Sequence, residues 1–368
     1  MLTQQQRKNA IVHEILRTEI LNGVWPVDGK LPNEVELARR FDCSPGTVNK
    51  AIAQLVHEGL VVRKNRTGTR VVRNSPGRGG SAVDLDAVAF IYPSEQHEGI
   101  RRIMQGFQEA AHAVQRRVVM LSTGTDYRLE GEIIGRLSEF DVKGGVVYPV
   151  FPKPEDHLYF AQMLLACRFP VVLADITLPG FGGHSVTVDA FDAGWTMTRH
   201  LLDQGLKRIG YLSNYAWLPS GREKYLGYRK ALEEAGIAVR SDWVVLDPDI
   251  KLNFADPLAE GGQVAKKFLQ NAVAEGLEGV VCGGDFLALV CLASARELGI
   301  SVPDQFKVVG ISDYAISAQV DPPLTTYHTP FEEIGRQSFQ MLNSLLQGGT
   351  PVDKEIQLRG ELVARRSG

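Results

Sequence analysis

Apolar residues near the N-terminus recur every three or four positions, a spacing that is typical of one buried face of a helix. The first such segment predicts a helix that starts at Gln4 and ends at Asn22-Gly23. The second begins at Asn33, whose side chain can cap the helix while Glu36 reaches back to the backbone of Asn33. A third segment follows after a very short turn. The pattern therefore predicts three helices in a row.

The third predicted helix is followed by two short strands. Ser44 is a good N-cap, and Pro45 suits the first helical position because no N–H is needed there. The apolar face of this helix continues to Gly59. Residues 60–63 and 69–72 are rich in strand-forming side chains and are separated by a basic turn. The segment is predicted to fold as a winged helix-turn-helix, an α domain with a β wing.

The charge of this segment differs from that of the rest of the chain. The first 80 residues carry 13 Lys and Arg against 7 Asp and Glu, whereas the remaining 288 carry 27 against 36. A basic domain joined to an acidic body indicates that the first part meets a polyanion such as DNA. The alternative interpretation is that these charges form a solvated surface that binds no partner.

A set of residues in this segment carries a resemblance to a known family: Gly29–Glu34, Glu36–Ala38, Phe41, Ser44, Thr47-Val48, Lys50-Ala51, Leu55, Glu58–Val61 and Gly68-Thr69. With these residues in this order and spacing, about residues 5–72 resemble the N-terminal domain of the GntR family of bacterial transcription regulators. The resemblance implies a dimeric operator binder whose third helix enters the major groove and whose wing tip lies on the minor groove or backbone.

The sequence departs from that family at two positions that matter for base recognition. Most members place arginine where this chain has Pro45, and a second arginine where it has Asn49. Arginine forms paired hydrogen bonds with guanine, whereas asparagine does so with adenine. The operator is therefore expected to differ from the usual family consensus.

Eight residues are the candidates for contacts with double-stranded operator DNA. Helix geometry places Thr47, Asn49 and Lys50 away from the apolar stripe, so they are predicted to contact bases in the groove. For each residue a solvated side chain without a DNA contact is the alternative. The candidates for phosphate and wing contacts are Ser44, Lys64, Arg66, Gly68 and Thr69.

Residues 74–84 are rich in Gly, Ser and Pro and predict a flexible linker between a DNA-binding domain at 1–73 and a body at 85–368. In the body, short apolar strands alternate with helices, as in α/β proteins with parallel sheets. Two doubly wound lobes are predicted, with a ligand at the carboxyl ends of the strands. The nine candidate strands are 87–92, 117–121, 145–148, 171–174, 185–188, 208–212, 243–246, 279–282 and 307–310.

A second resemblance rests on residues of the body: Val188-Asp189, Gly194, His200–Leu202, Gly205, Arg208–Leu212, Gly283–Asp285, Ala288, Arg296–Ile300, Val302–Asp304, Val308–Gly310, Pro322–Thr326, Ile334-Gly335 and Leu362–Arg366. With these residues, the body resembles the LacI/GalR family of sugar repressors over about residues 85–368. The resemblance implies a two-lobed, periplasmic-binding-protein-like fold with three crossovers, an effector in the cleft and dimerisation. A GntR-type head on such a body is similar in architecture to the arabinose-repressor group. We expect lobe 1 at about 85–190 and 316–345, and lobe 2 at about 191–315 and 346–368.

The resemblance also names candidate effector ligands. Asp285 matches the aspartate that the family uses to accept hydrogen bonds from a ligand, and its alternative role is a helix N-cap. Lys224 stands where the family usually has an effector-binding arginine, and Arg222 is a possible substitute. Because lysine lacks the planar fork of arginine, the identity of the ligand is left open.

Four aromatic residues and one carboxylate complete the predicted site. Trp217, Tyr92, Tyr148 and Phe254 lie after strands or in loops, where a ring could stack on a sugar; core packing is the alternative for each. Asp189 falls at a lobe crossover, where it contacts ligand or caps a helix.

Several other classes of protein lack support in the sequence. The chain is 44% hydrophobic and 23% charged, and it contains no apolar run long enough to span a bilayer, so a cytoplasmic globular protein is expected. Its four cysteines are scattered, and its histidines show no metal spacing. Nucleophile-elbow, P-loop and GxGxxG motifs are missing, which argues against an enzyme and against a bound cofactor.

These patterns predict a sequence-specific transcription regulator, a homodimeric repressor of carbohydrate-utilisation genes. A small molecule between the lobes, expected to be a sugar, would shift the population of lobe arrangements and so change operator affinity. A purine or another non-sugar effector is the alternative. A sugar-binding transport component and a sugar-modifying cytosolic enzyme are less well supported. Whether the effector releases or promotes DNA binding is left open.

Overall fold

A computed structural model describes residues 4–64, 68–72, 87–124, 126–137, 142–150, 156–167, 169–178, 182–214, 218–247, 256, 258, 261–349 and 351–368. The chain divides into two compact units, Met1–Leu85 and Asp86–Gly368. The predicted linker at 74–84 lies outside the described residues, as do Arg66, Trp217 and Phe254.

The N-terminal unit contains three helices and an antiparallel hairpin, as the sequence predicts. Its buried apolar side chains come from all three helices and both strands, and include Leu16, Leu37, Ile52 and Val71. The elements are α1 (Gln4–Leu21), α2 (Glu34–Arg40), α3 (Pro45–His57), β1 (Val61–Lys64) and β2 (Gly68–Val71).

The predicted helix caps are confirmed. The Asn33 side chain accepts the Glu36 N–H at 2.9 Å, and the Glu36 carboxylate accepts the Asn33 N–H at 2.9 Å, which forms a capping box. Ser44 caps α3 by accepting the Thr47 N–H at 3.2 Å, with Pro45 at the first helical position. These caps fix where α2 and α3 begin, and so set the geometry of the short turn between them.

The C-terminal unit contains two six-stranded sheets, each flanked by helices, which define two lobes. In lobe 1 the neighbouring strands are all parallel, in the order β13-β7-β6-β5-β3-β4. The lobe 1 strands are β3 (Ala87–Tyr92), β4 (Val118–Ser122), β5 (Val142–Val147), β6 (Val171–Ala174), β7 (His184–Val188) and β13 (Glu355–Leu358). Its helices are α4 (Glu98–Ala113), α5 (Tyr127–Gly135), α6 (Asp156–Ala166) and α11 (Phe331–Leu346).

Lobe 2 repeats this architecture, with strand order β14-β12-β11-β10-β8-β9 and a single antiparallel pair, β12 with β14, among its paired strands. The lobe 2 strands are β8 (Ile209–Asn214), β9 (Val244–Asp247), β10 (Gly279–Cys282), β11 (Lys307–Ser312), β12 (Thr325–His328) and β14 (Glu361–Val363). Its helices are α7 (Ala190–Asp203), α8 (Pro219–Glu234), α9 (Gly262–Ala274) and α10 (Asp285–Glu297). Within the described residues, every helix is too short or too polar to cross a bilayer.

All nine predicted strands are confirmed, but two predicted lobe boundaries are wrong. Strand β12 pairs with β11 and so belongs to lobe 2, although 316–345 was expected in lobe 1. Strand β13 pairs with β7 and belongs to lobe 1, although 346–368 was expected in lobe 2. The crossovers therefore lie near residues 189, 330 and 360. The error arises because β12, β13 and β14 are short strands, and the strand with which each one pairs determines the lobe to which it belongs.

Helices α7 and α8 pack in backbone contact because glycines face each other's helix. A Cβ added at Gly194 would lie 2.0 Å from the carbonyl oxygen of Lys224, and one at Gly227 would lie 2.1 Å from that of Phe191. Only glycine permits this approach. The close packing fixes the position of Lys224 relative to the start of α7.

Candidate DNA-binding surface and effector cleft

The N-terminal half of α3 exposes some, but not all, of the residues that are predicted to contact DNA. Asn49 and Lys50 are exposed, as expected. The expectation that Thr47 lies away from the apolar face is wrong, because this residue is only 4% exposed. Its hydroxyl is 2.9 Å from that of Ser44, which turns the side chain toward the cap. Ser44 itself serves as the helix cap and is exposed.

Glu34, which the sequence reasoning did not single out, joins α3 to the wing. The Asn49 amide nitrogen donates to both carboxylate oxygens of Glu34, at 3.2 and 3.3 Å. Arg63 on β1 donates to the same carboxylate at 2.7 Å. The amide oxygen of Asn49 stays available for a base. The sequence contains one signal that could have indicated this role of Glu34, namely an acidic residue in the first turn of α2 in a domain with a basic wing.

The described part of the wing is a tight antiparallel hairpin. Gly68 has φ of +89°, and a Cβ there would lie 2.8 Å from Lys30 Cε. Thr69 is half-buried and pairs with Arg63 across the hairpin. The backbone of Lys64 pairs with Gly68, while the side chain of Lys64 and the whole of Arg66 lie outside what the structure describes.

Tyrosine side chains and a carboxylate lie at the carboxyl ends of the lobe 1 strands. Tyr92 ends β3 and donates to Glu95 at 2.7 Å. Tyr148 follows β5 and its hydroxyl lies 3.5 Å from the Asp175 carboxylate, which follows β6. Both tyrosines are buried, which favours the packing role that the sequence left as their alternative. Asp175 was missed by sequence reasoning, although it is the first polar residue after an apolar strand.

Lys224, on α8 of lobe 2, lies opposite Asp175 of lobe 1. Its ammonium group donates to the Gly283 carbonyl, just after β10, at 2.9 Å. Burial lowers the pKa of Lys224, and the opposing attraction comes from Asp175 and Asp285. Burial raises the pKa of Asp175 to about 6, against the effects of Lys224 and Tyr148. The two lobes therefore bring a half-buried cation and a half-buried acid within electrostatic reach of one another.

Both carboxylate oxygens of Asp285, the residue predicted to bind the effector, are engaged by other groups of the protein. The residue is fully buried, and its carboxylate accepts hydrogen bonds from within lobe 2. The donors are the Thr326 hydroxyl at 2.5 Å, the Ser317 hydroxyl at 2.6 Å and the Tyr314 N–H at 3.1 Å. It is not the N-cap of α10 either, since Gly284 occupies that position. Asp285 instead fixes the loop that follows β11.

The remaining effector candidates that the structure describes have partners within the protein. Arg222 is largely exposed and pairs with Glu223 at 3.2 Å. Asp189 caps α7 by accepting the Asp192 N–H at 2.9 Å and lies 3.5 Å from Arg359, so the capping role that the sequence left open is observed.

The geometry suits a small polar molecule in the cleft. Lys224 has three N–H groups and uses one on Gly283, while Asp175 offers acceptor oxygens across the gap. Among the described residues no group of three His, Cys, Asp or Glu side chains is placed to hold a metal ion.

Comparison with known proteins identifies both units. Residues 8–71 match the bacterial regulatory proteins of the gntR family, and residues 198–368 match the periplasmic binding protein-like domain. The chain is 26% identical to the arabinose metabolism transcriptional repressor of Geobacillus stearothermophilus, over 95% of this chain and 94% of the relative.

Further similarities include a second repressor and a solved structure. The chain is 32% identical to the HTH-type transcriptional repressor PurR of Pectobacterium atrosepticum, over 76% of this chain and 79% of the relative. The solved complex of the transcriptional regulator CelR with cellobiose shares its fold, with a TM-score of 0.67 and 22% identity over 88% of this chain and 91% of that one. The chain thus belongs to the bacterial transcription regulators that join a GntR-type DNA-binding domain to a periplasmic-binding-protein-like effector domain of the LacI type.

Proposed function

We propose that this chain is a cytoplasmic, homodimeric repressor whose affinity for its operator is controlled by a sugar bound between the lobes. The single observation that carries the effector half of the proposal is the pair of Lys224 and Asp175, one from each lobe, both half-buried and within electrostatic reach of one another. Among the described residues, Lys224 donates to the Gly283 carbonyl and Asp175 accepts from the Tyr148 hydroxyl. The role is binding and release, not catalysis. The proposal concerns genes of carbohydrate use, as the similarity to arabinose repressors suggests.

DNA recognition is assigned to α3 and the wing. Asn49 and Lys50 are exposed on one side of α3, and Arg63 stands beside Asn49 through their shared bond to Glu34. An asparagine amide reads adenine, while basic side chains bind phosphates. Ser44, Gly68 and Thr69 are proposed to position the backbone contacts around these residues.

A sugar fits the cleft because of the hydrogen-bonding properties of a hydroxyl group. A hydroxyl donates one hydrogen bond and accepts others, so one hydroxyl can donate to Asp175 while it accepts from Lys224. A purely anionic ligand would be repelled by Asp175 when that residue is ionised, and a purely cationic ligand by Lys224. The solved complex with cellobiose shows that a protein of this fold holds a sugar.

The proposal is tested by footprinting the purified protein on the DNA upstream of its own gene. The assay is repeated with L-arabinose, cellobiose, other sugars and purine bases, and binding of each compound is measured by calorimetry. We expect one protected, palindromic site and a change of at least tenfold in its affinity with one sugar. Protection that responds only to a purine would replace the sugar with the purine alternative. Equal binding to operator and random DNA would contradict the whole proposal.

A further inference from the structure

The first turn of α4 in lobe 1 makes direct contact with the loop after β11 in lobe 2. The Glu98 carboxylate accepts the Ala315 N–H, with oxygen to nitrogen distances of 3.0 and 3.1 Å. One turn later, Arg102 donates to the Asp313 carbonyl at 3.2 Å. Contacts between the lobes therefore exist with no ligand required to bridge them.

An aromatic cluster lies beside these hydrogen bonds. The rings of Phe286 and Tyr314, both from lobe 2, are stacked with centroids 4.6 Å apart. His97 of lobe 1 meets both rings edge-on, at 5.8 and 5.5 Å. The contact is dry, since His97 and Tyr314 are buried. Apolar and aromatic contact of this kind adds stabilisation that no single hydrogen bond supplies.

His97 also makes a hydrogen bond across the two lobes. Burial lowers the pKa of His97 to about 4, with a further contribution from Arg101, so the ring is neutral at pH 7. Its Nδ1 atom accepts the Ile100 N–H at 3.4 Å, so we assign the ring proton to Nε2. Nε2 lies 3.3 Å from the Tyr314 hydroxyl, to which it donates.

Hydrogen bonds within lobe 2 hold the lobe 2 side of this contact in place. Asp285 holds the backbone of Tyr314 and the side chain of Ser317, as described above. Asp313 is held in turn by Arg365 at 2.6 Å and His328 at 2.9 Å. A rotation of one lobe against the other must therefore break the contacts of Glu98 and His97 instead of bending the loop.

The same arrangement of lobes places Lys224 and Asp175 within electrostatic reach of one another. It is thus the arrangement in which both lobes can contact one small ligand. We propose that Glu98 and His97 of lobe 1, with Tyr314 and Ala315 of lobe 2, form an interlobe latch that holds the protein in its effector-binding arrangement. The contacts of the latch do not depend on the proposed function, whereas its effect on effector affinity does.

The latch changes effector affinity through the population of the binding arrangement. If the latch keeps nearly all molecules in that arrangement, the observed dissociation constant equals the intrinsic one. If breaking it lowers the competent fraction to about one tenth, the observed dissociation constant rises about tenfold. In such a variant, part of the binding free energy of the effector is used to bring the lobes into the binding arrangement, which the latch stabilises in the wild type.

The test compares Glu98→Ala with Glu98→Gln in the full-length protein. Both variants remove the charge, but only glutamine keeps an oxygen that can accept the Ala315 N–H. Hydrogen–deuterium exchange is followed in peptides covering 97–102 and 313–318. We expect Glu98→Ala to exchange at least five times faster on both sides, and Glu98→Gln to stay within twofold of the wild type. Faster exchange on the 313–318 side alone, or equal effects of both variants, would overturn the latch.

Two further measurements keep the outcome decisive. Tyr314→Phe removes the hydroxyl that contacts His97 but keeps the stacked ring, so it should raise exchange in the same two peptides by a smaller factor. Calorimetry with a sugar that binds the wild type should show about tenfold weaker binding to Glu98→Ala. If the wild type binds no sugar, the proposed function fails, while the exchange data still decide on the latch.

Discussion

The side-chain amide of Asn49 on the third helix donates to the carboxylate of Glu34 on the second, at 3.2 Å. This bond fixes the orientation of an amide that would otherwise rotate freely on an exposed surface. Since Arg63 binds the same carboxylate, one acidic side chain contacts both α3 and the first strand of the wing. Operator recognition is therefore expected to depend on Glu34 without a contact between Glu34 and DNA.

Asn49→Ala should weaken specific operator binding and spare non-specific binding. Loss of a base contact costs about 1–3 kcal/mol, which is about 5- to 150-fold in affinity. Gel-shift titrations with operator and with random duplex measure the two affinities. Gln54→Ala, an exposed change on the same helix, is the control and should have little effect. An equal loss on both duplexes would show that Asn49 contacts phosphate, not bases.

Glu34→Ala should lower the ratio of specific to non-specific binding. Removing the carboxylate frees Asn49 and Arg63 and also removes a negative charge from the DNA-facing side, so non-specific affinity should rise. Glu34→Gln removes the charge but keeps an acceptor, so it should retain more of the specificity. The measurement is the same pair of gel-shift titrations, repeated at two salt concentrations. A specificity ratio unchanged in both variants would contradict the positioning role.

Lys224→Met should abolish most effector binding while leaving operator affinity intact in the absence of sugar. Methionine keeps an apolar chain of similar length but removes a charged hydrogen bond worth about 1.5–3 kcal/mol, or about 10- to 150-fold. Calorimetry with the sugar that binds the wild type provides the measurement. Arg222→Met on the same helix is the matched control. Should Arg222→Met cause the larger loss, Arg222 and not Lys224 would be the cationic ligand.

Asp285→Ala should destabilise lobe 2, since it leaves two hydroxyls and an N–H buried without their acceptor. Each buried neutral donor that is left without an acceptor costs about 1–3 kcal/mol. Asp285→Asn keeps one acceptor oxygen and should cost less. Urea unfolding measures the free energy, with Asp304→Ala, an exposed aspartate, as the control. A loss no larger than that of Asp304→Ala would return Asp285 to the list of possible effector ligands.

Glu130 should make stability fall as pH rises. The residue is 1% exposed, and one of its oxygens has no hydrogen-bond partner among the residues that the structure describes. Burial raises its pKa from 4.5 to about 8, against the effect of the Val150 N–H. Between pH 4.5 and about pH 8, Glu130 is protonated in the folded protein and ionised in the unfolded protein. Unfolding free energy should therefore decrease with pH, by up to about 1.4 kcal/mol per unit from this residue.

Glu130→Gln imitates the protonated acid, so it should flatten the dependence between pH 5 and pH 8 and raise stability at pH 8. Glu132→Gln, at an exposed position on the same helix, should leave the slope unchanged. Urea unfolding at pH 5, 6.5 and 8 measures the slope. A slope in Glu130→Gln that matches the wild type would mean that Glu130 is ionised in the folded protein.

Local signals were sufficient for much of this fold. Asn33 and Ser44 cap helices where their spacing predicts, and the nine long apolar strands form where apolar residues cluster. The polar strand β12 and the half-exposed strands β13 and β14 carry no such signal, because their pairing with β11, β7 and β12 determines them.

The candidate site was harder to predict because its members come from separate lobes. Lys224 was found by its position in a family pattern, but Asp175 gains its role only when the lobes face each other. Asp285 shows the converse error. A carboxylate after a strand and two glycines fits a ligand site, and only the positions of Thr326 and Ser317 reveal that its oxygens are occupied. Thr47 likewise turned inward because of its neighbour Ser44.

The glycine contact between α7 and α8 has a mechanical consequence. Gly194 and Gly227 bring the two backbones so close that neither helix can slide along the other without collision. The pair moves as one rigid body that begins at Asp189 and carries the ammonium of Lys224. If a bound molecule displaces that ammonium, α7 and α8 are therefore expected to move together. Their movement would rotate the chain where it crosses between the lobes at Asp189.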